Sequence, residues 1–132
     1  LGITNLYGAS IYYAHEVGND QVNSSGRTSI NAFIRSGDFD IDDGELFMSM
    51  RRFMPDYKFL VGNSKVTLFI SDYPSDVQSG SPLGPFTITT TTDKVDTRAR
   101  GRLLSLKIEN DAAGETWRYG SFRLDAQPDG RR

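Results

Sequence analysis

Apolar residues in this chain recur at every second position, the period of a strand with one face turned to a core. "SINAFIRS" sets Ile30, Ala32 and Ile34 on one side, and "ELFMSMRRF" does the same with Leu46, Met48 and Met50. "KVTLFIS" aligns Val66, Leu68 and Ile70, while "GPFTITTTT" aligns Phe86 and Ile88 ahead of a threonine run of high β-propensity. "RLLSLKIEN" contributes Leu104, Leu106 and Ile108, and "ETWRYGSFRLD" contributes Trp117 and Tyr119, then Phe122 and Leu124. No window of about eleven residues shows the three-and-four recurrence of an amphipathic helix.

Turn-forming clusters separate these runs: "DIDDG", "VGNS", "DYPSDVQSGSPLGP" and "NDAAGE". Asn110–Gly114 reads as a tight hairpin joining the last two strands, and Asp72–Pro85 as a longer surface loop. The expected fold is all-β, an antiparallel β-sandwich of about six to eight strands with an irregular N-terminal segment. Residues 1–25 are polar and turn-rich, with aromatics at Tyr7, Tyr12 and Tyr13, and read as a linker or the end of a preceding domain. Residues 26–132 form the expected sandwich domain. A chain opening at Leu1 is expected to be a piece of a longer polypeptide.

Two glycines bear on register. In "WRYGSFRL" the apolar parity changes across Gly120, and a β-bulge there would keep Trp117, Tyr119, Phe122 and Leu124 on one face. "RARGRLLSLKIEN" poses the opposite problem. As one regular strand it would put Arg98, Arg100 and Arg102 on the side that carries Leu104, Leu106 and Ile108. Burying three unpaired guanidiniums costs several kcal/mol each, which rules that arrangement out. Either a bulge at Gly101 turns Arg98 and Arg100 away, leaving Arg102 at the edge, or all three sit at the rim paired with acids. Both choices present a row of cations in one direction. It reads equally as a charged edge that blocks sheet-to-sheet aggregation or as a bidentate contact to carboxylates of a neighbouring subunit.

Charge and composition narrow the chemistry. With 15 Lys and Arg against 17 Asp and Glu the net charge is −2, so general nucleic-acid binding has no electrostatic basis. Cysteine is absent, which removes disulfides, zinc–thiolate sites and thiol nucleophiles. No apolar run approaches the roughly 20 residues of a membrane-spanning helix, and the opening segment lacks the basic-then-apolar pattern of a signal peptide. Asp38, Asp40 and Asp42 have the start of a calcium-loop spacing, but Asp43 and Ser49 stand where that loop needs glycine and glutamate. A solvated strand edge is expected there, and no metal. His15, the one histidine, has no second histidine four residues on and reads as structural. Trp117, Tyr119 and Phe122 could form a sugar-stacking platform, but their parity places them in the core.

Several segments together resemble a known family. "YYAHEVGND", "INAFIRSGDFDIDDGELFMSMRRFMPDYKF", "GPFTITTTTDKVDTRARGRLLSLKIEN" and "WRYGSFRLDAQPDGRR" look like the C-terminal region of tail nozzle, or tail tubular, proteins of short-tailed phages. Some of these are described as DNA stabilisation proteins. The resemblance runs from about Tyr12 to Arg132 and is most specific in "RARGR" and the terminal segment. It implies a structural subunit of a homo-oligomeric ring, usually six-fold, that meets adaptor and fibre proteins and closes the tail until ejection. DNA would pass through without sequence-specific binding. It implies a virion location after assembly in the host cytoplasm, with no catalytic residues, cofactor or membrane contact. Arg98, Arg100 and Arg102 would then meet acids of an adjacent subunit. The alternative is a carbohydrate-binding module for host adsorption. A small hydrolase is a third reading, and it would need convergent carboxylates between Asp38 and Glu45.

Overall fold

A computed structural model of the chain describes residues 2–6, 9–13, 20–23, 26–74 and 82–131, with side chains from Gly26 onward. His15 and Tyr7 lie outside the described residues, as do the side chains of Tyr12 and Tyr13. The chain begins with two antiparallel hairpins, β1 (Gly2–Leu6) with β2 (Ala9–Tyr13) and β3 (Asp20–Asn23) with β4 (Gly26–Ser29). Neither shares a ladder with the strands that follow. The β3–β4 pairing crosses residue 25, and the sandwich strands themselves begin at Ala32.

Those strands are β5 (Ala32–Arg35), β6 (Met48–Val61), β7 (Ser64–Ser71), β8 (Leu83–Ile88), β9 (Val95–Gly101), β10 (Leu103–Asn110) and β11 (Thr116–Pro128). They form two antiparallel sheets, one ordered β5-β10-β7-β8 and the other β11-β6-β9. The alternating residues meet between them. Met48, Met50 and Phe53 from β6 and Ala99 from β9 pack against Val66, Leu68, Ile88, Leu104, Leu106 and Ile108. Each fully buried side chain of this size contributes about 1.5–3 kcal/mol by leaving water. Phe53 ties the layers together, 5.4 Å from the Phe122 ring and 5.7 Å from the Phe86 ring of the opposite sheet.

The bulge expected at Gly120 is present. Tyr119 lies opposite Tyr57 and Phe122 opposite Pro55, so β11 gains one residue on its partner. Trp117, Tyr119, Phe122 and Leu124 consequently all pack against the core. Gly120 is needed for a second reason, since a Cβ there would stand 2.9 Å from the Asp56 carbonyl oxygen.

Two expectations change. The Asn110–Gly114 turn is tight, but it joins strands of different sheets, because β10 pairs with β5 and β7 while β11 pairs with β6. Ile34 stands opposite Ile108, yet it is 56% exposed and Ile30 38% exposed. A four-stranded layer over a three-stranded one leaves its outermost strand without cover, and β5 is that strand.

Candidate interaction surface

The arginine segment is two strands, not one. β9 belongs to the three-stranded sheet and β10 to the four-stranded sheet, and the chain changes layers at Arg102. Strands that switch sheets do so at such bends. The break that parity demanded is therefore a corner at Arg102, not a bulge at Gly101. Ala99 and Gly101 turn inward while Arg98 and Arg100 stay exposed. Gly101 makes the close approach possible, because a Cβ there would lie 2.2 Å from Ile70 Cγ2.

The three guanidiniums then part company. Arg100 Nε donates to Asp129 Oδ2 at 2.6 Å, and its Nη2 donates to the Asp129 carbonyl at 3.3 Å. Arg102 Nη2 donates to the Arg131 carbonyl at 3.2 Å. Both guanidiniums also lie against the Phe47 ring, at 4.2 and 4.9 Å from its centroid, at a range where cation–π attraction acts. The Phe47 amide donates to the Gly130 carbonyl at 2.8 Å and the Asp129 amide to the Phe47 carbonyl at 2.7 Å. Arg131 reaches Glu45 at 3.4 Å. Arg100 and Arg102 thus clamp the segment after β11 onto the sandwich edge. Arg98 has no hydrogen-bond or ion-pair partner among the described residues.

Arg98 has company that the sequence reading missed. Arg51, also exposed and also without a partner among the described residues, lines with Arg98 and Arg100 an open concavity of about 770 Å³ on the β6–β9 surface. Ser49, Met50, Asp96, Thr97 and Ala99 complete the lining. Its shape comes from paired register shifts. β6 gains a residue on β11 at Arg51, and β9 gains one on β6 between Asp96 and Ala99. The signal lay in "MSMRRF", where the core parity changes between Met50 and Phe53 across two arginines. The second of these, Arg52, is neutralised by Asp96 at 3.3 Å and Asp125 at 3.7 Å. On β11, Arg118 and Arg123 point away from the core and are likewise exposed and unpartnered among the described residues.

The remaining candidates lie elsewhere. Trp117 packs on the core and its Nε1–H donates to Asn110 Oδ1 at 3.1 Å. Asp38, Asp40, Asp42 and Asp43 are exposed in the β5–β6 connection, where Asp42–Gly44 forms a single 3₁₀ turn. Tyr57 and Tyr119 meet edge to face at 5.0 Å near the rim of the core. Burial raises the pKa of both hydroxyls, and the neighbouring Tyr57 and Asp56 push that of Tyr119 further upward. No protein-family model matches the chain, and no curated protein matches it.

Proposed function

We propose that this chain is a structural module of a short-tailed phage tail, of the nozzle or tail tubular kind, which docks neighbouring subunits and fibres and performs no catalysis. The observation that carries the reading is the outer surface of β6, β9 and β11. It presents Arg51, Arg98, Arg118 and Arg123 with no carboxylate of their own among the described residues. Guanidiniums are the side chains best suited to a planar, two-pronged contact with carboxylates across an interface. A rigid sandwich is a suitable mount for them, since its core fixes the strands that aim them. The sequence resemblance supplies the setting: a ring at the tail end, six-fold in most members of the family, with DNA passing through its lumen.

The reading is tested on virions. An antibody raised against the chain should label the tail tip of intact particles in electron micrographs. Particles that carry no label anywhere would overturn it. Reversing Arg51 and Arg98 to glutamate should keep the protein out of particles while leaving its far-ultraviolet spectrum unchanged. Normal incorporation of that variant would remove the docking role from this surface.

A further inference from the structure

The chain carries its own complement to the arginine surface. Asp38, Asp40, Asp42 and Asp43 are all exposed, and none joins an ion pair among the described residues. Glu45, at the end of the same connection, is neutralised by Arg131. Four unpaired carboxylates therefore occupy the β5–β6 connection, while four unpaired guanidiniums occupy the outside of the three-stranded sheet. The two sets belong to different parts of the surface, and no ion pair joins them within the chain. Overall charge is nearly balanced at −2, so the feature is separation of charge, not excess. A near-neutral, slightly acidic chain also exerts no long-range pull on a polyphosphate.

We infer that a second copy of this chain docks its Asp38–Asp43 connection onto the Arg51–Arg98 surface. The inference rests on the assembly reading above and names the contact it would use. A contact between two different patches is heterologous, and heterologous contacts build rings when the rotation closes. The bulges that shape the β6–β9 concavity fix both arginines on paired strands, whereas the acids project from a connection. Of the three left-handed backbone positions in that connection, Gly44 takes one at φ 74° and aspartates take the other two, Asp42 at φ 57° and Asp43 at φ 54°, a region that aspartate tolerates better than most residues. The turn thus keeps its carboxylates where a glycine would have been easier for the backbone.

The test is a charge swap on the complete chain, read by sedimentation velocity at low and high salt. Wild type should self-associate at low salt and dissociate as salt screens the contact, over a Debye length of about 10 Å at 0.1 M. Arg51→Glu with Arg98→Glu should weaken association roughly tenfold or more, and Asp38→Lys with Asp40→Lys should do the same. The chain carrying all four changes should recover association to within about threefold of wild type. Arg51→Gln with Arg98→Gln serves as the milder pair should the reversal fail to fold. If wild type associates but the four-fold swap does not recover, the contact is wrong and the tail reading stands. A wild type that stays monomeric also overturns the contact, and the tail reading falls only with unlabelled virions. Loss of duplex oligonucleotide binding in the arginine variants, with no self-association of wild type, would assign the surface to phosphates and overturn the inference.

Discussion

Glu115 holds two corners of the sandwich with one carboxylate. Its Oε1 accepts the Asn63 amide at 3.3 Å and its Oε2 accepts the Ala112 amide at 3.1 Å. The first corner joins β6 to β7 and the second joins β10 to β11, and the side chain is buried between them. Gly62 permits the approach at φ 73°, with its missing Cβ only 2.9 Å from Glu115 Cγ. Glu115→Ala should cost about 2–3 kcal/mol because it orphans two amides, and Glu115→Gln about 1–2 kcal/mol because one acceptor oxygen survives. Urea denaturation checks this as a fall in midpoint at constant slope. Tyr119 makes the opposite case. Its hydroxyl is buried with no protein partner among the described residues, and its pKa lies above the ordinary tyrosine value through burial. The fold therefore holds the neutral phenol more tightly than the unfolded chain does. Stability is whole below about pH 10, where unfolded tyrosine begins to ionise, and falls as pH climbs toward the raised folded value. Tyr119→Phe should leave neutral stability unchanged or raise it by up to about 1 kcal/mol, and should flatten the alkaline loss. A set of urea curves between about pH 8 and pH 11 measures both; an unchanged alkaline slope would exclude this tyrosine as its source.

At the scale of elements, the bulges decide which side chains enter the core. Gly120→Ala should cost about 1–3 kcal/mol, since its Cβ would press on the Asp56 carbonyl at 2.9 Å and the backbone has to move. A melting temperature equal to wild type would show that the bulge tolerates a side chain. This element was legible in the sequence, because a parity change across a glycine has few other solutions. So were the core faces of β6, β7, β8 and β10: Met48, Met50, Val66, Leu68, Ile88, Leu104, Leu106 and Ile108 are buried. Ile70 and Phe86 pack against them partly covered, and only Leu46 of those runs falls outside the cluster. What alternation does not carry is the identity of the neighbour. It reports that Leu104 and Trp117 face inward, and nothing about the layer to which each belongs. That is why "RARGRLLSLKIEN" read as one strand and the Asn110–Gly114 turn as a hairpin. Ile34 failed for a related reason: facing the core is not the same as being covered by it. Arg51 went unremarked because a doublet of arginines reads as solvated surface until the strands on both sides show their register shifts.

Across the whole molecule, most connections in the sandwich change sheets, and the charged groups sort by what those changes leave open. The β9–β10 corner carries Arg102 into reach of the last residues, so this arginine and Arg100 act on the chain's own end. Arg51 and Arg98 stand on paired strands of the outer surface with no hydrogen-bond or ion-pair partner among the described residues. The two pairs should therefore separate cleanly under mutation. Arg100→Ala with Arg102→Ala removes three hydrogen bonds, one of them an ion pair, and the stacking on Phe47. Solvent reaches most of these groups, so the summed loss should be about 1–2 kcal/mol, a melting shift of roughly 3–8 °C. Arg51→Ala with Arg98→Ala removes no hydrogen bond or ion pair among the described residues and should change stability by less than about 0.5 kcal/mol. Circular dichroism melts of the two double variants decide the matter. Equal shifts in both would mean that the outer arginines also stabilise the fold, and the division between a clamp and a docking surface would have to be abandoned. If only the first pair melts early, loss of association in the second is a property of the surface alone.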